Sequence, residues 1–380
     1  MTTSAETLLE GLHAEALDCL QTSIALVADE AQGSGTHAVL GCRLGWDARR
    51  DLDHRLAEAA ELLGVRATER RDVADGPELR ALLEGGERLY VVADAYDMPW
   101  VPYAGHRHMA HSLLVERADG QYVVLDAYHN DTEWGPARPG VWKLSSDELD
   151  GVLAQGGVAL RLEAPETAPR VDEAAVLAEN AERARAAELE DYLAAIRKQI
   201  DEPEGVDRLV LDVWLVTRER LLHATWLDGL AGRRSTAERA EQLAQDWLEL
   251  ATRSYVAMRR SRRGPSRMEA IIDDLEAQLA ADREYAEQAA AERSAERTGD
   301  PRQVVLESVA DVLPQSGDAL DDETPLRDLP GFDSFRLVEI LERVEERLGV
   351  ELPERIDAAD LQTVGAVTRL FASPPEPALR

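Results

Sequence analysis

The sequence predicts an α+β domain at the N-terminus, an α-helical region after it, and a small all-α four-helix domain at the C-terminus. Three observations carry this reading. Up to about residue 165, apolar runs of strand length alternate with helical patterns; from about 171 to 295 the pattern is helical almost throughout; and residues 301–372 hold a further set of helical segments beyond a Gly/Pro-containing break. The expected boundaries are 1–165, 166–297 and 298–380. A chain of 380 residues exceeds one ordinary core, which agrees with several domains.

In order along the chain, Leu17 to Glu30 reads as a helix with Asp18 near its start, and Arg50 to Leu63 and Gly76 to Glu84 as two more. His37-Ala-Val-Leu and Arg88-Leu-Tyr-Val-Val-Ala93 are apolar runs of strand length. Ser112 to Glu116 and Tyr122 to Asp126 flank Arg117-Ala-Asp-Gly-Gln121, a β-hairpin signal in which Gly120 supplies the positive φ of a tight reversal. A last strand, Gly157 to Leu162, precedes the boundary stretch Ala164-Pro-Glu-Thr-Ala-Pro169. The helical region has breaks near Glu202-Pro-Glu-Gly205, Gly229 to Gly232 and Gly264-Pro265, which makes three or four helices of a bundle, with Trp214, Trp226 and Trp247 in its core. Ala280 to Glu296 is so rich in Ala, Glu and Arg that it reads as a solvated helix running into a linker at Thr298-Gly-Asp-Pro301.

Composition narrows the function classes. A formal net charge of -32 repels the phosphates of nucleic acid and of anionic membranes, so neither is an expected partner. Hydrophobic content of 44% and charged content of 31% suit a soluble chain with a proper core. Only Cys19 and Cys42 are present, too few for a secreted disulfide framework. Residues 1–30 lack a basic stretch leading into an apolar core, and no run approaches 18 apolar residues, so a cytoplasmic protein is expected. Eight scattered histidines without HExxH or CxxC spacing predict no metal site.

At the C-terminus, helix one covers Arg302 to about Val312, and a long loop carries Asp321-Asp-Glu-Thr-Pro-Leu326. Helix two opens at Asp333-Ser334 with Phe335, Leu337, Val338, Ile340 and Leu341 on its apolar side, and a last helix runs from Ala359 to Phe371. A serine at the head of a helix is exposed, and the helix dipole favours a phosphodiester formed there. Gly331-Phe-Asp-Ser-Phe-Arg-Leu-Val-Glu339 matches G-x-D-S-L-x-x-x-E, with Phe335 in place of the usual Leu, and Gly349-Val-Glu-Leu-Pro353 follows. Together these resemble an acyl or peptidyl carrier protein. The resemblance implies 4′-phosphopantetheine as cofactor, attached to Ser334. It also implies a phosphopantetheinyl transferase and an acyl-loading enzyme of adenylation or polyketide/peptide synthetase type as partners, which would read Glu339, Glu342 and Glu346 through basic patches.

Near the other end, Cys19 begins a helix, His111 opens the first hairpin strand and Asp126 ends the second. A nucleophilic thiol needs a base, a helix N-terminus favours its thiolate, and the base needs an orienting carboxylate or amide. Two strands of one hairpin bring base and orienter within reach. His106 and His108 compete with His111, which directly precedes the strand and is better spaced to Asp126; His108 is the reserve. Cys42, in Leu-Gly-Cys-Arg-Leu, reads as packing. Trp100-Val-Pro-Tyr103 either lines a cleft or forms the loop's own small core.

The order Cys, His, Asp is papain-like, and several stretches are similar to the butirosin biosynthesis protein H family. They are Asp18-Cys-Leu-Gln-Thr-Ser-Ile-Ala-Leu26, Leu40-Gly-Cys-Arg-Leu-Gly-Trp46, Asp97-Met-Pro-Trp-Val-Pro-Tyr103 and His108 to Glu116 with Val123 to Asp126, all within residues 8–165. This resemblance implies a papain-like acyltransferase that lifts an acyl group from a carrier thioester and passes it to a small-molecule amine, with Cys19, His111 and Asp126 as catalytic residues. Where papain-like enzymes often place an oxyanion-hole Gln, this chain has His13; His13, Gln21 or a backbone amide near Cys19 are the alternatives. Competing functions are a cysteine thioesterase or peptidase using water, and a non-catalytic scaffold that docks the carrier.

Overall fold

The computed structural model describes residues 5–46, 51–187, 189–202, 204–230, 234–262, 268–297, 301–313, 320–350, 352 and 356–372. Several sequence landmarks lie outside them: Pro203, Gly232, Gly264-Pro265, Thr298-Gly-Asp300, Glu351 and Pro353. The chain divides into two compact units, 1–286 and 287–380. The sheet region and most of the helical region share the first.

The first unit is built on one six-stranded, wholly antiparallel sheet in the order β1-β8-β2-β3-β4-β7. Its strands are β1 (Arg66–Val73), β2 (Leu89–Asp94), β3 (Ala110–Ala118), β4 (Gln121–Asp126), β7 (Gly140–Leu144) and β8 (Gly157–Glu163), and β5 (Asn130–Thr132) with β6 (Gly135–Ala137) forms a separate ribbon. The predicted hairpin is β3–β4, closed by a two-residue loop in which Asp119 (φ 51) and Gly120 (φ 77) both take positive φ, the requirement of a tight reversal between twisted strands. Helices α1 (Ala5–Glu10), α2 (Gln21–Gln32), α3 (Leu52–Leu62), α4 (Gly76–Leu83) and α5 (Ser146–Val152) accompany the sheet. Leu79, Leu83, Leu149 and Val152 from α4 and α5 join Val91, Leu113, Val115 and Val124 from the strands in a continuous core.

Two expectations for this region are corrected. His37 to Leu40 is a 3-10 turn (Thr36–Gly41), not a strand. Gly35 enters it at φ 87, and His37 is fully buried with its backbone N–H and its ring nitrogen both held by Asp29, so a local side-chain anchor outcompetes strand pairing. The helix expected from Leu17 starts at Gln21, although its hydrogen bonding begins a turn earlier, where Thr22 N–H donates to Asp18 O. Cys19 therefore sits in the turn leading into the helix.

The described residues of the helical region form five helices instead of three or four: α6 (Glu173–Ala186), α7 (Leu189–Gln199), α8 (Gly205–Asp228), α9 (Arg234–Ser261) and α10 (Met268–Arg297). Trp247 and Trp226 are buried as expected, whereas Trp214 is half-buried and packs against the sheet's core cluster. The segment Ala280 to Glu296 is not solvated all round. Asp282 is wholly buried, where it pairs with Arg220 and accepts from Trp247 Nε1 at 2.7 Å, and Tyr285, Ala286 and Ala289 share the buried face. A buried carboxylate in an Ala/Glu/Arg helix is stable only because that guanidinium and indole satisfy it.

The second unit holds α11 (Pro301–Val312), α12 (Ser334–Leu348) and α13 (Val364–Ala372) around Val305, Val309, Leu326, Ile340, Val344, Val364 and Val367. The last helix starts later than Ala359, and a 3-10 turn over Ala358–Leu361 stands in place of a fourth helix among the described residues. The Thr-Pro-Leu loop is pinned onto the start of α13 by Leu326 N–H to Gln362 O and Val364 N–H to Thr324 O. At Gly365 a Cβ would lie 2.8 Å from Asp322, so this close approach needs glycine. No helix among the described residues is long and apolar enough to cross a membrane.

Candidate active site and attachment serine

The structure brings Cys19, His111 and Asp126 together. In the β3–β4 ladder Leu114 faces Leu125, which sets Asp126 diagonally opposite His111, and His111 Nε2 meets Asp126 Oδ2 at 2.8 Å. Both side chains are buried. Asp126 accepts two further hydrogen bonds: Oδ2 also accepts from Trp100 Nε1 at 2.8 Å, and Oδ1 accepts from Tyr128 N–H at 2.9 Å. The Tyr128 ring stands edge-on to the imidazole at 5.0 Å. His111 Nδ1 is buried without a hydrogen-bond partner among the described residues, and Cys19 is near enough to add to the upward pull on the imidazole.

Cys19 is half-buried, with Sγ 3.6 Å from the carbonyl of Ala110, the residue before His111. Its turn is fixed from several sides. Asp18 Oδ1 accepts from Leu20 N–H and Gln21 N–H, both at 2.9 Å, which fixes the turn carrying the cysteine just ahead of α2. Asp18 Oδ2 is gripped by the buried Arg55 at 2.6 Å and 2.9 Å. The Cys19 carbonyl accepts from Ser112 Oγ, next to His111, and from Thr22 Oγ1.

Burial pulls the His111 imidazole down, but the Asp126 charge and hydrogen bond, with Cys19 adding to them, push it up to about 10. Burial raises Asp126, and His111 more than reverses this, holding the carboxylate below its ordinary range. The sign of the pH dependence follows. A histidine raised above its ordinary 6.5 contributes stability that is complete below about pH 6.5 and is lost as pH rises through about 10. The depressed Asp126 sets the acid limit: its contribution is present above about 3.8 and fades as pH falls through its folded value. Asp126→Asn is therefore expected to lower unfolding free energy by about 3 kcal/mol near neutral pH. Urea unfolding near pH 6 and again near pH 10 should show that gap narrowing at the alkaline end.

The other candidates are occupied elsewhere. His108, mostly exposed, donates from Nδ1 to Asp94 Oδ2 at 2.6 Å and stacks on Tyr96, while His106 stacks on Trp134. Cys42 is buried and its thiol is pushed up to about 12 by burial, consistent with packing. Of the three oxyanion alternatives, His13 is tied to His37 Nε2 through both its backbone N–H and Nδ1, whereas Gln21 accepts from Asp18 N–H only at Oε1, which does not engage its Nε2 donor. The Cys19 N–H donates to no acceptor among the described residues, so the backbone amide and the Gln21 amide both stand as donors. Trp100 and Tyr103 do not form a separate small core: both pack into the sheet's core cluster, where half-buried Trp100 donates to Asp126 and Tyr103 is buried against Tyr128. The tryptophan's role was missed in the sequence because an indole donor and a carboxylate 26 residues apart carry no joint pattern.

In the second unit Asp333 is the N-cap of α12, accepting from Arg336 N–H at 2.9 Å, and Ser334 is the first helical residue. Its hydroxyl is exposed and makes no hydrogen bond among the described residues. Gly331 turns the chain ahead of it at φ 81. An unengaged hydroxyl at the positive end of a 15-residue helix fits attachment of a phosphodiester. Two details of α12 are corrected. Phe335 (88% exposed) and Val338 (52%) point away from the core, which takes Ile340, Val344 and Leu348. Glu339 is not a free acid, since Arg336 and Arg343 both bind it; Glu342 and Glu346 remain exposed.

Residues 303–371 match the family model described as a phosphopantetheine attachment site. This C-terminal region is thus a carrier-protein domain, and 4′-phosphopantetheine is its prosthetic group, with a phosphopantetheinyl transferase and loading enzymes as the partners such a domain requires. No curated protein matches the chain.

Proposed function

We propose that a chain bearing a carrier-protein domain uses its N-terminal unit as a cysteine acyltransferase, which takes an acyl group from a carrier-bound thioester and delivers it to an amine. The observation that supports this most is the buried His111–Asp126 pair, with Trp100 on the carboxylate side and Cys19 Sγ 3.6 Å from the carbonyl of Ala110, the residue before His111. An antiparallel sheet carrying His and Asp beside a helix-entry cysteine is also the layout expected of a papain-like fold.

The carrier arm supplies a thiol that holds an acyl group as an activated thioester. At neutral pH the raised His111 is an imidazolium, which favours the thiolate of the cysteine beside it. Cys19 Sγ attacks the thioester carbonyl, forming a new C–S bond. The donor C–S bond then breaks, and the leaving thiolate takes the proton from His111 Nδ1. An N–H donor at Cys19 or Gln21 stabilises the negative oxygen. An incoming amine attacks the Cys19 acyl group, its N–H proton passes to His111, and Cys19 is released as thiolate. Asp126 keeps the imidazole oriented and compensates its charge without taking the proton.

Mixing the full chain with a short acyl thioester, quenching in acid and mapping peptides by mass spectrometry tests this reading. The acyl group should appear on the peptide bearing Cys19 and fall away when an amine is added. Consumption of the donor without any acylated Cys19 would show that the transfer runs by another route, and discharge to water at the same rate with or without amine would make the unit a thioesterase.

A further inference from the structure

Three arginines are buried among the described residues of the first unit, and two of them have carboxylates: Arg55 grips Asp18 and Arg220 grips Asp282. The third does not. Arg218 of α8 is 5% exposed, and no carboxylate lies within ion-pair distance of it among the described residues. Its Nη1 donates to Ala14 O at 3.0 Å and to Leu17 O, and its Nη2 donates to His129 O. The guanidinium lies 4.0 Å over Trp214 and 5.7 Å from the Tyr128 ring, and Nε is unpartnered. It thereby bridges the segment two residues before Cys19 and the segment three residues after Asp126.

A buried cation satisfied only by carbonyls and aromatic faces is expensive unless an anion forms nearby. The ionisable groups facing it are Tyr128, Asp18, Tyr103, Cys19 and His129. Asp18 is already engaged by Arg55, the two phenols share one hydrogen bond in a buried pocket, and His129 is not an anion. Cys19 is the remaining group that can become negative. We infer that Arg218 is a positioning residue for Cys19, tying its turn to the segment that follows the Asp126 strand and supplying a buried positive charge that favours the cysteine's anionic form. The helical region is then part of the site and not an appendage to it. This inference rests on the reading of Cys19 as the nucleophile.

The test is the pH profile of alkylation of the full chain by iodoacetamide, with the modified peptide identified by mass spectrometry. In the unmodified sequence Cys19 should react rapidly near pH 6. Arg218→Gln should slow that reaction by about tenfold while leaving the rate near pH 10 unchanged, and Arg218→Lys should restore most of it. A purely structural role would lower the rate at both pH values or at neither. A folded Arg218→Gln protein with the original profile overturns the inference and leaves the cysteine reading intact. Slow alkylation of the original chain near pH 6 overturns both.

A second measurement needs no change at Arg218. In a His111→Gln background, Cys19 is capped either with iodoacetate, which leaves an anion, or with iodoacetamide, which leaves a neutral group of similar size. The anionic adduct should melt at the higher temperature. Coincident or reversed melting temperatures would show that Arg218 offers Cys19 no charge support.

Discussion

Replacing Ser334 by alanine is expected to abolish covalent loading of the chain altogether. Incubation with a phosphopantetheinyl transferase and coenzyme A should add one arm per chain to the original protein and none to Ser334→Ala, read by intact-protein mass spectrometry. The effect is total because the modified atom itself is removed, while the fold has no use for it. Asp333 provides the helix cap, Gly331 the turn, and Ile340, Val344 and Leu348 the packing, and the Ser334 hydroxyl joins none of these. Alanine also has a high helix propensity at an exposed first-turn position, so Tm should hold to within a degree or two. Ser334 itself is exposed, as are the neighbouring Phe335 and Val338. Persistence of the mass increase in Ser334→Ala would place the arm on another hydroxyl.

How much of this was legible in the sequence depended on whether the cause was local. The β3–β4 hairpin was readable because Asp-Gly between alternating apolar runs names its own turn, and Ser334 was readable because cap, turn and helix stand within a few residues. Strand β1 was missed: Arg-Ala-Thr-Glu-Arg-Arg-Asp-Val has no apolar face, because it is an edge strand paired only with β8 and solvated along most of its length. Helix α5 was missed despite its capping box, Ser145 with Glu148, since only a short apolar pattern follows. Long-range pairs were invisible in principle. Arg220 and Asp282 stand 62 residues apart, and Arg218 reaches back about 200 residues to Leu17, so the burial of a charged side chain in a polar-looking helix had no signal near it. The same holds within the site. The residue types Cys, His and Asp in order were visible, but the indole that holds the aspartate and the arginine beneath the cysteine turn depend on the packed fold.

Cys19→Ala should separate carriage from transfer. The Cys19 side chain is half-buried and bonded only weakly through sulfur, and the turn around it is held by Asp18, Arg55, Ser112 and Arg218, so removing Sγ leaves the scaffold standing. Loading of Ser334 should proceed at the original rate, because that serine belongs to the other compact unit. Discharge of the loaded acyl group to an amine should fall by at least about a thousandfold, to the rate of direct aminolysis, since a covalent route has no substitute when its nucleophile is absent. His111→Ala should come close to the same loss, because the two act as a unit, whereas Asp126→Asn should retain some turnover through a misoriented imidazole. The decisive comparison is single-turnover discharge of the acylated carrier in the original chain and in Cys19→Ala, under the same amine concentration. Equal rates would remove Cys19 from the reaction and leave the N-terminal unit a docking scaffold. A loss of turnover accompanied by a carrier that can no longer be loaded would point to a folding defect, which the unchanged loading of Ser334 is there to detect.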